Sequence, residues 1–111
     1  MNSMKKILLI GCGHMGSALL TSWIKSKKYS LTVIDPFKYK DLKKKYNNKI
    51  KILKKISNLS KSINYDFVVF ATKPIDLNKI LDEFSNYKFL NQTVIVSVIA
   101  GKKINLFEKK I

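Results

Sequence analysis

The segment Ile10-Gly11-Cys12-Gly13-His14-Met15-Gly16-Ser17-Ala18-Leu19-Leu20 constrains this chain more than any other, for it holds three of the four glycines in the sequence. Before it stands Ile7-Leu8-Leu9-Ile10, a short unbroken apolar run of the kind expected in a strand buried on both faces. After it Met15, Leu19 and Trp23 recur every four residues, with Ala18 and Leu20 nearby, which predicts a helix lying on a sheet. The stripe fades in Lys25-Ser26-Lys27-Lys28, where cations suit a helix carboxyl end. Strand, glycine turn and amphipathic helix together predict an α/β unit.

The rest of the chain repeats that alternation. Leu31-Thr32-Val33-Ile34 reads as a second strand, stopped by Asp35-Pro36, and a Lys-rich helix is expected over Lys38 to Tyr46. Asn47-Asn48 makes a turn before a third, less buried strand, Ile50 to Leu53, placed at a sheet edge. Ile56 to Ile63 reads as a short helix or as irregular chain. Phe67-Val68-Val69-Phe70-Ala71 is the fourth strand. Pro74 suits the first turn of the next helix, where its missing N–H costs nothing. Leu77, Ile80, Leu81 and Phe84 carry that helix's buried face, Thr93 to Val98 is the fifth strand, and Ile104 to Ile111 begins a further helix. Strands and helices alternating at this spacing imply right-handed crossovers and a parallel sheet covered on both faces. The expectation is a doubly wound α/β nucleotide fold, Rossmann-like, with strand order 3-2-1-4-5.

Length and composition bound the function classes. With 111 residues, 46% of them hydrophobic, the chain is expected to form one domain, residues 1–111, around a single core. No apolar run approaches the roughly 18 residues that cross a bilayer, and Ile7 to Ile10 is too late and too short for a signal peptide. Cys12 is the sole cysteine, so no internal disulfide forms, which suits the cytoplasm. The net charge of +15 raises the question of nucleic acid. Against it, every basic residue is Lys, and Lys5, Lys25, Lys43, Lys54, Lys79 and Lys109 are scattered along the chain.

Gly11-Cys12-Gly13-His14-Met15-Gly16 fits G-x-G-x-x-G, a weak pattern alone that gains force between a buried strand and a helix. Gly11 allows the tight turn, Gly13 lets a pyrophosphate approach the backbone, and Gly16 lets the helix pack closely on the sheet. The helix amino end then offers N–H groups and a positive dipole to the anion. The competing reading is a merely structural Gly-rich turn. Asp35 follows the second strand about 20 residues further on, where an acid can accept ribose hydroxyls; the plainer reading is a turn acid before Pro36. An acid there favours NAD over NADP, although Lys38 and Lys40 follow at once. In this fold all strand carboxyl ends share one rim. Gly11–Gly16, Asp35, the turn Thr72-Lys73-Pro74 and the segment Val98–Gly101 should therefore converge on one cleft.

Three stretches, IGCGHMGSALL, DFVVFATKPIDLNKIL and VIVSVIAGKKINLFEKKI, resemble the amino-terminal, cofactor-binding domain of pyrroline-5-carboxylate reductase. The resemblance runs over nearly the whole chain, and its A-x-K-P turn and S-x-x-A-G segment are more specific than the glycines. It implies that Gly11, Cys12, Gly13, His14, Met15 and Gly16 hold the pyrophosphate of NADP or NAD. It implies further that Ala71, Thr72, Lys73 and Pro74 line the nicotinamide half, that Val98 and Ala100 lie beside the ring, and that Asn58 contacts the cofactor. His14 stands where Asn is common in the family; at a helix amino end it is expected to make a first-turn contact rather than to act as an acid or base. Lys73 contacts cofactor on the strength of its motif alone. Cys12 is expected to be a small turn filler rather than a reactive thiol.

The function implied by the resemblance is reduction of 1-pyrroline-5-carboxylate to L-proline with NAD(P)H, an oxidoreductase step on a C=N bond. No catalytic dyad or metal-ligand cluster is expected. Family members continue into a helical carboxy-terminal domain that forms the dimer and holds substrate. The chain is therefore expected to be truncated before that domain, incomplete as an enzyme alone, and homo-oligomeric only with it. Two other readings are a different dehydrogenase of the same fold and a basic non-enzymatic module binding RNA or acidic partners.

Overall fold

A computed structural model describes residues 4–46, 49–89 and 92–97. The strands are β1 (Lys5–Ile10), β2 (Tyr29–Ile34), β3 (Lys51–Leu53), β4 (Ser62–Ile63), β5 (Phe67–Phe70), β6 (Lys88–Phe89) and β7 (Val94–Ser97). The helices are α1 (His14–Ser26), α2 (Tyr39–Tyr46) and α3 (Pro74–Glu83), with a 3-10 turn at Ile56–Asn58. Five parallel strands form the main sheet in the order β3-β2-β1-β5-β7, the expected 3-2-1-4-5 arrangement. The third expected strand does lie at an edge.

The unbroken apolar runs are explained by burial on both faces. Ile7 and Leu9 of β1 join Leu31, Val33, Ile52 and Val69 beneath Leu20 of α1 and Leu42 of α2. Leu8 and Ile10 point the other way, joining Ile34, Val68 and Phe70 beneath Leu77 and Leu81 of α3 and Phe84 at its C-cap. A strand with helices on both faces has no side that water selects for polar residues, so alternation disappears.

Register decides where the strand ends fall. Ile10 pairs with Ile34 and with Phe70, Ile34 pairs with Leu53, and Phe70 pairs with Ser97. The carboxyl ends of all five strands thus lie level along one rim. Backbone hydrogen bonds extend the ladders one step beyond it: Gly11 N–H to Ile34 O at 2.9 Å, Asp35 N–H to Leu53 O at 3.3 Å, and Ala71 N–H to Ile10 O at 2.8 Å.

Three expectations change. The buried stripe of α1 centres on Gly16 and Leu20, with Leu19, Trp23 and Ile24 half-buried, while Met15 is 58% exposed. Close approach of α1 at Gly16 turns the helix by about one residue from the face that Met15, Leu19 and Trp23 define. The segment Ile56 to Ile63 is a 3-10 turn followed by β4, which pairs in parallel with β6. A two-residue ladder has no periodic signature; it is held by Ile63 and by an aromatic group in which Phe84 meets Phe70, Tyr87 and Phe89. On β7, Val94 and Val96 are 49% and 36% exposed, so this strand is covered less than its composition suggests. The turn at Asn47-Asn48 and the expected helix from Ile104 lie outside the described residues, as does the end of the fifth strand at Val98. Among the described residues no helix is long and apolar enough to cross a membrane.

Candidate functional site

At the level rim, the turn after β1 carries the glycines. Gly11 has φ 91, a left-handed conformation that side chains resist. A Cβ placed on it would stand 2.8 Å from the Ala71 carbonyl oxygen and 2.9 Å from Thr72 Cγ2. A Cβ on Gly16 would stand 2.7 Å from the Gly11 carbonyl oxygen, so α1 is seated directly on the turn. These two glycines are therefore required by the chain's own packing.

Gly13 is different. Its φ of −77 is open to any residue, and a Cβ there would meet nothing within 4 Å. Neither strain nor crowding asks for glycine. Gly13 is also the N-cap of α1 and offers no side chain to the helix. The first intrahelical bond is Ser17 N–H to Gly13 O at 2.8 Å, which leaves the amides of His14, Met15 and Gly16 in the uncapped first turn. No acidic side chain occupies that turn. Gly13, His14 and Met15 are exposed. The result is a bare, positively polarised helix end of the kind that binds phosphate.

Cys12 lies between the two kinds of glycine and is 2% exposed. Burial pushes its thiol above the ordinary cysteine value, against the lowering effect of a hydrogen bond with Ser17. Its Sγ lies 3.4 Å from Ser17 Oγ, which also donates to the Cys12 carbonyl at 3.3 Å. This buried, protonated thiol fills the turn. Ser17 has no place in the G-x-G-x-x-G pattern, and its contacts depend on a turn shape that the sequence does not spell out.

Asp35 follows β2 at the same rim and is buried. Its carboxylate accepts the Cys12 N–H at 2.7 Å, and also the Phe37 and Lys38 N–H groups at 2.9 and 3.1 Å. The bond to Phe37 is the two-residue reach of an Asx turn, a signal already carried by Asp-Pro in the sequence.

The turn after β5 completes the rim. Ala71 and Thr72 are half-buried, and Lys73 is exposed as the N-cap of α3, with Pro74 in its first turn. Thr72 Oγ1 is buried and has no hydrogen-bond partner among the described residues. Thr72 is thus a polar group at the edge of the glycine turn whose hydroxyl no described residue satisfies.

The structure brings Gly11–Gly16, Asp35 and Ala71–Pro74 to one rim. Asn58 sits elsewhere: its Oδ1 accepts the Lys55 N–H at 3.1 Å, and it lines a cavity of about 290 Å³ with Lys6, Ser30 and Lys51, toward the amino ends of the strands. Val98 and Ala100 lie outside the described residues.

A sequence model described as NADP oxidoreductase, coenzyme F420-dependent, matches residues 6–101. The chain belongs to that family. The match to the NADP oxidoreductase family spans the glycine turn, Asp35 and the Ala71–Pro74 turn together. No curated protein matches the sequence. Among solved structures the chain is similar to a protein from Enterococcus faecalis assigned as a 2-dehydropantoate 2-reductase. The two are 19% identical with a TM-score of 0.70, over 95% of this chain and 37% of that one. D-mandelate dehydrogenase, in a ternary complex with NADH and anilino(oxo)acetate, gives 20% identity and a TM-score of 0.71, covering 95% and 36%. Lactate dehydrogenase from Eimeria maxima with NADH and oxamate gives 17% and 0.67, covering 99% and 41%. These likenesses are of fold, and the chain spans well under half the length of each. Fold and family together are those of an NAD(P)-binding oxidoreductase domain.

Proposed function

We propose that this chain is the cofactor-binding domain of a pyrroline-5-carboxylate reductase, with NADP or NAD held at the glycine rim. The observation that carries the reading is Gly13: beyond the ordinary N-cap preference for glycine, no packing among the described residues asks for one there, and a side chain would project into open space at a bare helix end. A ligand whose phosphates approach the backbone supplies the missing reason. The Thr72 hydroxyl beside the same turn, without a partner among the described residues, supports a polar ligand at this place.

In this reading the amides of His14, Met15 and Gly16 donate to the pyrophosphate. Gly11 and Gly16 keep α1 seated so that those amides aim outward, and Cys12 fills the turn. Ala71, Thr72, Lys73 and Pro74 border the nicotinamide half, with the Thr72 hydroxyl turning to the ligand as donor or acceptor. The resemblance assigns Val98 and Ala100 to the ring and Asn58 to the cofactor; Asn58, which caps Lys55 and lines the cavity toward the amino ends of the strands, is left out of the proposed site. NAD(P)H, when bound, supplies a hydride to the carbon of a C=N bond. The chain's own part is positioning and electrostatics, so no acid–base residue is assigned, His14 included. Substrate and dimer contacts belong to the helical domain of the complete reductase. A hydroxy-acid dehydrogenase is the alternative that the solved relatives raise. The A-x-K-P turn, here Ala71-Thr72-Lys73-Pro74, favours the imine reductase.

Fluorescence titration with NADH and NADPH tests the site. Saturable binding by the wild-type chain and its loss in Gly13→Val, with the fold retained by circular dichroism, is the expected result. A folded wild-type chain that binds neither nucleotide overturns the reading. The substrate assignment is tested by assaying a full-length homologue carrying the same A-x-K-P turn with pyrroline-5-carboxylate against a panel of 2-keto acids.

A further inference from the structure

The sequence position of Asp35 points to an acid that reads the ribose, and the structure gives it another task. Both carboxylate oxygens are engaged: Oδ2 by the Cys12 amide at 2.7 Å, Oδ1 by the Phe37 and Lys38 amides at 2.9 and 3.1 Å. A carboxylate has about four lone-pair positions, and Asp35 is only 8% exposed. Charge-assisted bonds of this kind are stronger than neutral ones. Three amides fill three of those positions, and a ribose hydroxyl reaching the fourth, on Oδ2, would have to share that oxygen with the buried Cys12 amide.

We propose that Asp35 is a positioning residue, tying the glycine loop to the turn between β2 and α2 and serving NADH and NADPH alike. The proposal rests on the cofactor reading above. The end of β2 grips the loop twice, through the Ile34 carbonyl on Gly11 N–H and the Asp35 carboxylate on Cys12 N–H. Gly11, at φ 91, is the most permissive link in the loop, so holding its two flanking amides fixes where Gly13 and the first turn of α1 are presented. The side chains left exposed by the β2–α2 turn are Pro36, Phe37 and Lys38, and by the first turn of α2 Lys40 and Asp41. Choice at the ribose 2′ position falls to those groups and not to the buried acid.

The test uses the whole chain, titrated with NADH and with NADPH, and the Asp35→Asn variant. A carboxamide has one accepting oxygen and one donating nitrogen, so it serves one side of the tie and opposes the other. Both affinities should fall together, about tenfold or more, with their ratio held within about twofold. In proton–nitrogen spectra the Cys12 amide should move upfield and exchange faster, while the amides of Leu9 and Val33 keep their positions. A tenfold gain of NADPH over NADH in Asp35→Asn overturns the proposal, as does an unmoved Cys12 amide. Should that variant not fold, the wild-type spectrum decides: the Cys12 amide should stay downfield and protected at saturating NADH, and its release on binding overturns the tie. A wild-type chain that binds neither nucleotide brings down the parent reading as well. One that binds both, with a ratio altered by Asp35→Asn, brings down this proposal alone.

Discussion

Two strand-to-helix turns meet at one rim of this domain and are built from opposite materials. After β1 the chain reaches α1 through Gly11-Cys12-Gly13, with side chains removed wherever backbone must come close. After β5 it reaches α3 through Ala71-Thr72-Lys73, with Pro74 fixing the first helical turn. The second turn occupies the space that the first leaves. The Ala71 carbonyl and the Thr72 methyl lie where a side chain on Gly11 would go. Gly11 and Gly16 therefore answer to the protein, whereas nothing packed among the described residues makes that demand of Gly13. A glycine pattern is one motif to the eye and two kinds of physical demand in space.

The sharpest way to break this comparison is to place the same side chain on both sides of it. Gly11→Val meets a left-handed φ and a backbone carbonyl that cannot retreat, and it should cost about 3 kcal/mol or more, read by urea unfolding. Gly13→Val meets neither and should cost no more than about 1 kcal/mol, the scale of a lost N-cap preference, while nucleotide binding disappears. Equal destabilisation by the two would end the distinction.

Gly16→Val comes next. Its Cβ falls 2.7 Å from the Gly11 carbonyl oxygen, and α1 must lift from the turn at about 2 kcal/mol. Binding should weaken with stability there, in contrast to Gly13→Val, where the two separate.

Thr72→Val sharpens the other turn. Valine keeps the shape and removes a buried hydroxyl that has no partner among the described residues, so the free chain should gain about 1 kcal/mol. The affinity for NAD(P)H should fall about tenfold, the value of one hydrogen bond near 1.4 kcal/mol. A variant that gains stability and keeps full affinity would show that this hydroxyl serves no ligand.

The smallest effect belongs to Cys12. Its thiol stays neutral in the folded chain at a pH where the unfolded thiol, near 8.5, begins to ionise. The unfolded state then binds fewer protons than the folded one, so stability falls as pH rises through that value. Below it the thiol is neutral in both states and contributes nothing to the pH dependence. Unfolding measured at pH 7.5 and 9.5 should show a steeper decline for the wild type than for Cys12→Ala. Matching slopes would remove Cys12 from the account.

Much of this was legible in the sequence, for reasons particular residues make plain. Ile7–Ile10 and Phe67–Phe70 are apolar without alternation because helices cover both faces of their strands. Leu77, Leu81 and Phe84 keep helical spacing because α3 covers one face of the sheet. What escaped was local or long-range. The β4–β6 ladder is too short to impose a period. Met15 follows the spacing of a buried stripe yet faces solvent, because the tight seat of Gly16 sets the rotation of α1. Asp35 looks the same in sequence whether it faces ribose or backbone.

The amino-acid pattern by itself determined the alternating elements, the parallel order of the main sheet and the class of ligand to seek, because hydrophobic periodicity and glycine act over a few neighbouring residues. Only the tertiary structure decided which glycine is spare, where the Asp35 oxygens go and which hydroxyl is left unsatisfied. Those outcomes depend on distances between segments far apart in the chain, and such distances exist only once the sheet has brought the strand ends level.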